Sequence, residues 1–149
     1  MTRRPKILVV DDNHDTLDLL EILLYKKYEV ITALNGFEAL AKAKNEPPSC
    51  IVTDIMMPVM DGVRLLSNLR KEPLTKEIPV LAITSFTGQY PVKSLISMGF
   101  DGVITKPPES AAVAAAVARL VPPEEHARIL KPEEHARILK HDKKGRRDS

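Results

Sequence analysis

The sequence predicts an α/β protein with an open, five-stranded parallel sheet and helices on both of its faces. Two observations support this fold class. Five short apolar runs alternate with five stretches whose apolar residues recur at helical spacing. The fourth run, residues 79–84, is apolar on both of its faces, as expected for a central strand that helices cover on either side.

The predicted strands are the five apolar runs, at residues 6–10, 28–33, 50–53, 79–84 and 103–105. β-branched residues are frequent in these runs, and turn residues bound them. The predicted helices begin after residues 13 and 35 and cover residues 63–71, 91–98 and 109–121. This pattern predicts one domain at residues 1–121 and a C-terminal tail at residues 122–149.

Caps and breakers delimit the predicted helices. Asp12 or Asn13 is a suitable N-cap for the first helix. Asn35-Gly36 turns the chain into the second helix, which ends at Pro47-Pro48. The apolar residues predicted to share one face of the second helix are Phe37, Leu40 and Ala41, and those predicted to face inward on the third are Val63, Leu66 and Leu69.

Reactive side chains stand at the ends of four of the five predicted strands. In chain order they are Asp11, Asp12, Asp54, Thr84 and Lys106. The carboxyl ends of parallel strands meet at one edge of the sheet, and ligands bind at that edge. A lone aspartate at a strand end most often only caps or solvates it. Three carboxylates, a hydroxyl and an ammonium group at one edge instead indicate a functional site.

The residue types at this edge predict phosphoryl chemistry. Three carboxylates repel one another unless a cation holds them, and hard oxygen ligands suit Mg²⁺ or, alternatively, Mn²⁺. Lys106 and the Thr84 hydroxyl could bind the oxygens of a phosphoryl group. Asp54 is then the candidate nucleophile, and it would form an aspartyl phosphate.

These residues stand in motifs that resemble the receiver domain of two-component response regulators, over residues 6–121. The motifs are, in order, Asp11-Asp12, Asp54, Met57-Pro58, Met60-Asp61-Gly62, Thr84-Ser85 and Lys106-Pro107. The resemblance implies a flavodoxin-like fold with strand order 2-1-3-4-5. It also implies that Asp54 accepts a phosphoryl group from a phosphohistidine on a sensor histidine kinase or a histidine phosphotransfer protein, in two-component or phosphorelay signalling.

By this resemblance, Asp12 and Asp54 would bind Mg²⁺ directly, helped by the main-chain carbonyl of Met56, and Asp11 would act largely through water. A small-molecule phosphohydrolase is a rival interpretation, since such enzymes also use an aspartyl nucleophile. They normally place a second acid two residues after it, where this chain has Met56. We therefore expect the protein to catalyse only its own phosphorylation and dephosphorylation. A phosphate-independent binding module on the same scaffold is a further alternative.

The resemblance also implies how the phosphoryl group is bound and sensed. Thr84 would bind it, Lys106 would pair with one of its oxygens, and the Lys106-Pro107 bond would be cis. Most receivers carry Tyr or Phe three residues before the lysine, whereas this chain has Val103. We therefore expect signalling to run through Thr84, loop movement and the surface of the fourth helix rather than through an aromatic side chain.

Composition limits the kinds of partner that the protein can bind and the cellular compartment in which it can work. Residues 1–121 carry 14 Lys/Arg and 14 Asp/Glu, so this part offers no electrostatic footprint for nucleic acid. Cys50 is the single cysteine, which excludes an intrachain disulfide. The longest apolar run, residues 111–118, is too short to span a membrane, and the first residues contain no secretory apolar segment. These features predict a cytoplasmic protein.

The tail contains a tandem duplication. Residues 123–131, Pro-Glu-Glu-His-Ala-Arg-Ile-Leu-Lys, recur unchanged at residues 132–140, and a basic end follows. His126 and His135 would lie on opposite faces of a continuous helix, which makes them poor joint metal ligands. Because only residues 122–149 follow the fifth helix, we expect a stand-alone receiver without a DNA-binding domain. Its output would be protein binding or onward phosphotransfer.

Overall fold

A computed structural model describes residues 4–85 and 89–126, and these residues form the predicted α/β fold. The five strands are β1 (Lys6–Val10), β2 (Glu29–Ala33), β3 (Cys50–Asp54), β4 (Val80–Thr84) and β5 (Gly102–Thr105). They pair in parallel in the order β2-β1-β3-β4-β5. The predicted fold class and strand order are therefore confirmed.

Helices alternate with the strands along the chain. They are α1 (His14–Leu24), α2 (Gly36–Asn45), α3 (Gly62–Lys71), α4 (Val92–Met98), α5 (Ser110–Leu120) and the short α6 (Pro123–His126). Asn13 is the N-cap of α1, and its side-chain oxygen accepts hydrogen bonds from the backbone N–H groups of Asp15 (2.8 Å) and Thr16 (3.2 Å). Of the two candidate caps, the chain therefore uses Asn13, which leaves the Asp12 carboxylate available for other contacts.

The sheet separates two apolar cores. One core packs α2, α3 and α4 against one face, and the other packs α1 and α5 against the opposite face. Every residue of β3 and β4 is buried, because these two central strands are covered on both faces. The layered packing fixes the ends of β1, β3 and β4 relative to one another, and the candidate site residues lie at these ends.

The face predicted for α2 is only partly correct, because Leu40 packs against the core whereas Phe37 and Ala41 do not. Phe37 is 65% exposed and Ala41 is also exposed, whereas Ala39 and Ala43 are fully buried. The Gly36 N–H donates a hydrogen bond to the Met60 carbonyl oxygen (2.9 Å), so the first turn of α2 lies against the loop between β3 and α3. The fully buried residues of α2 are small ones, Gly36, Ala39 and Ala43, and Leu40 packs half-buried beside them.

The inward face predicted for α3 is largely correct. Leu66 and Leu69 are buried as expected, Val63 is half-buried against the core, and Leu65 is an additional buried residue. Most of the predicted ends of strands and helices agree with the structure to within one residue.

The tail is described only at its beginning. Residues 123–126 form α6, which contains the start of the first duplicated copy. The remainder of that copy, the second copy with His135 and the basic end lie outside the described residues. Among the described residues, none of the helices is both long enough and apolar enough to cross a membrane.

Candidate functional site

Asp54 lies at the carboxyl end of the central strand β3. It pairs with Ile83 of β4, and the preceding Thr53 pairs with Val10 of β1. Its side chain is largely buried, with the residue 7% exposed. A Cβ atom at Gly62 would lie 2.5 Å from the Asp54 carbonyl oxygen, so only glycine permits the first turn of α3 to approach β3 this closely.

Three carboxylates meet at this edge of the sheet, as the sequence predicted. Oxygens of Asp11, Asp12 and Asp54 all lie within 4.8 Å of one another. Asp11 is 2% exposed, whereas Asp12 is exposed to solvent. Backbone N–H groups hold the two buried acids: Asn13 donates to Asp11 Oδ1 (2.9 Å), and Ile55 donates to Asp54 Oδ1 (2.8 Å). The cluster is therefore open to solvent on the Asp12 side.

Lys106 carries the positive charge that faces these acids. Its Nζ atom lies 3.5 Å from Asp11 Oδ2 and 3.3 Å from Asp54 Oδ1. The Lys106 backbone N–H donates to the Thr84 carbonyl oxygen (2.8 Å), which anchors the residue beside the end of β4. The bond between Lys106 and Pro107 is cis, as the resemblance implied.

Burial dominates the electrostatics of the two inner acids. Desolvation raises the pKa of Asp54, and the nearby Asp11 charge raises it further, while Lys106 lowers it. Desolvation likewise raises the pKa of Asp11, against the opposing effects of the Asn13 N–H and Lys106. The single lysine therefore does not fully compensate for the burial of two carboxylates, and the site favours an additional cation.

The other predicted site residues lie at the same edge. Thr84 is the last residue of β4, is 2% exposed and pairs with Thr105. Met56 is half-exposed and lies two residues after Asp54 in the loop between β3 and α3. Val103 is half-buried and packs against the core that contains α4. The structure thus brings the predicted side chains to the same edge, whereas their roles in chemistry stay predictions.

Two contributions to the site were missing from the sequence interpretation. The backbone N–H groups of Asn13 and Ile55 fix the carboxylates, and every residue except proline carries such a group, so no side-chain pattern indicates them. Val59 has a positive φ of 71°, and the flanking Met60 N–H bonds to the Pro58 carbonyl oxygen (2.8 Å). This γ-turn is uncommon for a β-branched residue. It places backbone strain in the loop that follows Asp54.

Cys50 contributes no reactive group. It is fully buried at the start of β3, and desolvation raises the pKa of its thiol to about 12. A thiol with so high a pKa stays protonated at neutral pH and is a poor nucleophile. Cys50 therefore serves as a small core residue.

The donor set fits a hard divalent cation. Three carboxylates supply oxygen ligands, two of these acids are buried with raised pKa values, and one side of the cluster faces solvent. Mg²⁺ binds such oxygens and usually retains several waters in its octahedral shell. The geometry can therefore hold a cation beside the Asp54 carboxylate, and Lys106 adds a positive charge within 3.5 Å of two of the acids.

Comparisons with known proteins agree with this geometry. The chain is 40% identical over 103 residues to the alkaline phosphatase synthesis transcriptional regulatory protein PhoP of Bacillus subtilis, and the match covers 68% of this chain and 42% of that protein. The fold matches a signal receiver domain of a histidine kinase from Syntrophus aciditrophicus, with a TM-score of 0.73 and 31% identity over 78% of this chain and 89% of that one.

A third comparison concerns the fold alone, because the identity is 24%. It is with the receiver domain of the sensor histidine kinase PA1611 of Pseudomonas aeruginosa, whose structure has a magnesium ion coordinated in the active-site cleft. The TM-score is 0.73, with 79% of this chain and 98% of that chain covered. The family model described as the response regulator receiver domain matches residues 7–118. The chain therefore belongs to the response regulator receiver domain family.

Proposed function

We propose that this protein accepts a phosphoryl group on Asp54 from a phosphohistidine, in a reaction that depends on Mg²⁺. The donor is a sensor histidine kinase or a histidine phosphotransfer protein. The observation that carries the proposal is the juxtaposition of three carboxylates with Lys106, whose Nζ atom lies within 3.5 Å of both buried acids. Phosphoryl transfer depends mainly on positioning and charge neutralisation, and this set of residues suits both tasks.

The two oxygens of Asp54 differ in their surroundings. Oδ1 accepts from the Ile55 N–H and faces Lys106, whereas Oδ2 has no hydrogen bond within residues 4–85 and 89–126. Oδ2 is therefore our candidate for the attacking atom. Its electron pair forms the new O–P bond as the P–N bond to the donor imidazole breaks. The imidazole nitrogen leaves with the electron pair of the broken P–N bond and takes up a proton from solvent.

Asp11, Asp12, Asp54 and the Met56 carbonyl are the proposed ligands of Mg²⁺, and Mn²⁺ is a possible substitute. When bound, the ion would neutralise charge on the phosphoryl oxygens and on the acids. Lys106 would pair with a phosphoryl oxygen once its contact with Asp54 is exchanged. The Thr84 hydroxyl, at the end of the neighbouring strand, would donate a hydrogen bond to another oxygen of that group.

We further propose that the protein catalyses only its own phosphorylation and dephosphorylation. Hydrolysis would require water to attack the phosphorus, which returns the Asp54 carboxylate and releases phosphate. Met56, the residue two positions after the nucleophile, cannot serve as a general acid for external substrates. The output would be binding of another protein or onward phosphotransfer. We also propose a cytoplasmic location. The match with the PhoP relative spans 42% of that protein's length.

Mass spectrometry of the intact protein tests the chemistry. The full chain is incubated with acetyl phosphate, with Mg²⁺ or with a chelator, alongside Asp54→Asn and Asp61→Asn. Asp61 is a matched control, since it lies in the same loop and only caps α3 through Arg64 N–H (2.8 Å), a role that asparagine fills equally well. We expect one Mg²⁺-dependent phosphoryl adduct on the native chain and on Asp61→Asn, and none on Asp54→Asn.

Two results would contradict the proposal. An adduct that persists on Asp54→Asn would place the phosphoryl group on another residue. The absence of any adduct on the native chain, under conditions that label another receiver, would instead favour the phosphate-independent binding module.

A further inference from the structure

A concave region lies at the amino edge of the sheet, opposite the Asp54 cluster. This cleft has a volume of about 370 Å³, at the small end of the range of ligand pockets. Loops that precede the strands form one part of its wall, and the connection between α5 and α6 forms another. The lining of the cleft includes Glu29, Pro47, Ser49, Glu77, Pro79 and Glu125.

Among the described residues, some charged side chains around this cleft have a bonding partner and others do not. Of its two basic residues, Lys6 forms an ion pair with Glu46 (2.8 Å), and Arg4 donates to the Tyr25 carbonyl oxygen (2.7 Å). Within the described part of the chain, the carboxylates of Glu29 and Glu77 make neither a hydrogen bond nor an ion pair. The cleft therefore presents two acidic groups, beside the apolar rings of prolines, that a basic and apolar segment could satisfy.

The C-terminal extension is already anchored at this cleft. The Ser49 Oγ donates a hydrogen bond to Glu125 Oε1 (2.8 Å), which joins α6 to the loop before β3 across 76 positions of the chain. Pro122 and Glu125 themselves line the cleft. Glu125 lies only two positions before residue 127, so a segment that begins there needs no long linker to reach the cleft.

The residues that leave this anchor have the complementary chemistry. Residues 127–131 read Ala-Arg-Ile-Leu-Lys, with two apolar side chains between two basic ones. We propose that this segment docks into the cleft of its own chain, with Arg128 and Lys131 towards Glu29 and Glu77 and the apolar pair against the prolines. Five extended residues span roughly 16 Å, which is enough to cross a cleft of this size.

The tandem duplication provides an internal control for this proposal. The second copy, residues 132–140, has the same sequence as the first, so Lys140 has the same neighbours in the preceding chain as Lys131. The first copy contains the residue that bonds to Ser49, and its basic residues follow within a few positions. Proximity to the anchor therefore favours the first copy over an identical segment nine residues further along.

Zero-length carbodiimide cross-linking of the full chain tests the proposal, because it joins a carboxylate to an amine only where the two are in contact. Equal amounts of isotopically heavy and light protein are mixed, and cross-linked peptides are identified by mass spectrometry. We expect links from Glu77 or Glu29 to Lys131, within heavy or within light chains only. The link should be lost in Lys131→Ala and in Glu29→Gln with Glu77→Gln, and should be retained in Lys140→Ala.

Four results would overturn the proposal. Links between heavy and light chains would show that the tail of a second molecule occupies the cleft. Links from Glu29 or Glu77 to Lys140 would show that the second copy also occupies the cleft. Loss of the links to the tail only when both Lys131 and Lys140 are replaced would show that the two copies exchange in the cleft. The absence of any link from Glu29 or Glu77 to the tail, with other lysine links still formed, would show that the cleft does not hold this segment.

Discussion

The two edges of one sheet differ in whether they bury charged side chains. At the amino edge, backbone groups satisfy each other: the Pro5 carbonyl oxygen accepts from Glu29 N–H, and the Pro79 carbonyl oxygen accepts from Ile51 N–H, both at 2.9 Å. At the carboxyl edge, Asp11 and Asp54 are buried with raised pKa values beside a single lysine. Among the described residues, the only buried charged side chains are therefore those of Asp11 and Asp54, and both lie at the carboxyl edge.

This difference indicates that the fold gives up stability at the candidate site. Buried groups with perturbed pKa values are concentrated at functional sites, because such sites hold charged groups close together and away from water. The amino edge carries an ion pair as well, between Lys6 and Glu46, but its glutamate is 59% exposed. Surface pairs of this kind contribute little to stability. Substitutions matched across the two edges can therefore test the comparison.

The largest expected effect comes from glycines at the two edges. In Gly62→Ala the new Cβ atom would lie 2.5 Å from the Asp54 carbonyl oxygen and 3.0 Å from the Ile55 Cα, and backbone atoms there cannot give way without moving β3. We expect a loss of about 3 kcal/mol in the free energy of unfolding. Urea denaturation measures this loss. The displaced Asp54 should also be phosphorylated more slowly by acetyl phosphate.

Gly102→Ala, at the start of β5, is the matched control. There the nearest atoms are the Leu81 Cδ1 (3.0 Å) and the Arg119 Nη2 (3.2 Å), both at the ends of flexible side chains. We expect a loss of about 1 kcal/mol or less and unchanged phosphorylation. Equal losses for the two glycines would contradict the view that the tight backbone approach is confined to the carboxyl edge.

Lysines at the two edges provide the next comparison. Lys106→Met retains an apolar stem but leaves Asp11 and Asp54 without their cationic partner, and we expect it to cost about 2 kcal/mol in Mg²⁺-free buffer. Lys6→Met removes an ion pair with an exposed glutamate and should cost about 0.5 kcal/mol. Thermal denaturation in low salt measures both values.

The same two variants separate stability from chemistry. Lys106→Met should be phosphorylated far more slowly, whereas Lys6→Met should match the native chain. If Lys6→Met proved the more destabilising of the two, the burial of charge at the carboxyl edge would not be what distinguishes the edges.

Much of the fold was predictable because it follows from local patterns. The alternation of apolar runs and helical stretches determines the order of elements, and parallel strands bring Asp54 and Lys106 to one edge whatever the details of packing. The buried face of α2 was predictable only in part, since Leu40 packs against the core but Phe37 and Ala41 do not. It depends on the hydrogen bond from the Gly36 N–H to the Met60 carbonyl oxygen. Because this bond joins two separate segments of the chain, the spacing of apolar residues does not indicate it.

The same limit applies within the site. Residue types identified the charged side chains, but not the close contact of Gly62 with β3 or the positive φ of Val59. Both features arise from how the loop after Asp54 folds back onto the strand. A sequence pattern marks turn residues there without giving the distances between them.

The smallest expected effect concerns the pH dependence of stability. Because the pKa of Asp54 is raised in the folded protein, the folded state binds this proton more tightly than the unfolded chain does. The contribution of Asp54 to the free energy of unfolding therefore falls as the pH rises from the ordinary aspartate value of 3.8 through the raised pKa. In Mg²⁺-free buffer at pH 7, Asp54→Asn should be more stable than the native chain by about 1 kcal/mol, or roughly 3 °C in Tm.

Acidification should remove this gain, since below pH 3.8 the native carboxyl is protonated in both states and resembles the neutral amide. Thermal melts of the native chain, Asp54→Asn and Asp61→Asn from pH 7.5 towards pH 4 measure the trend. Asp61→Asn retains its cap on α3 and should stay within about 0.5 kcal/mol of the native chain. If Asp54→Asn were less stable at pH 7, or if its advantage were independent of pH, buried charge would not be the source of the difference between the two edges.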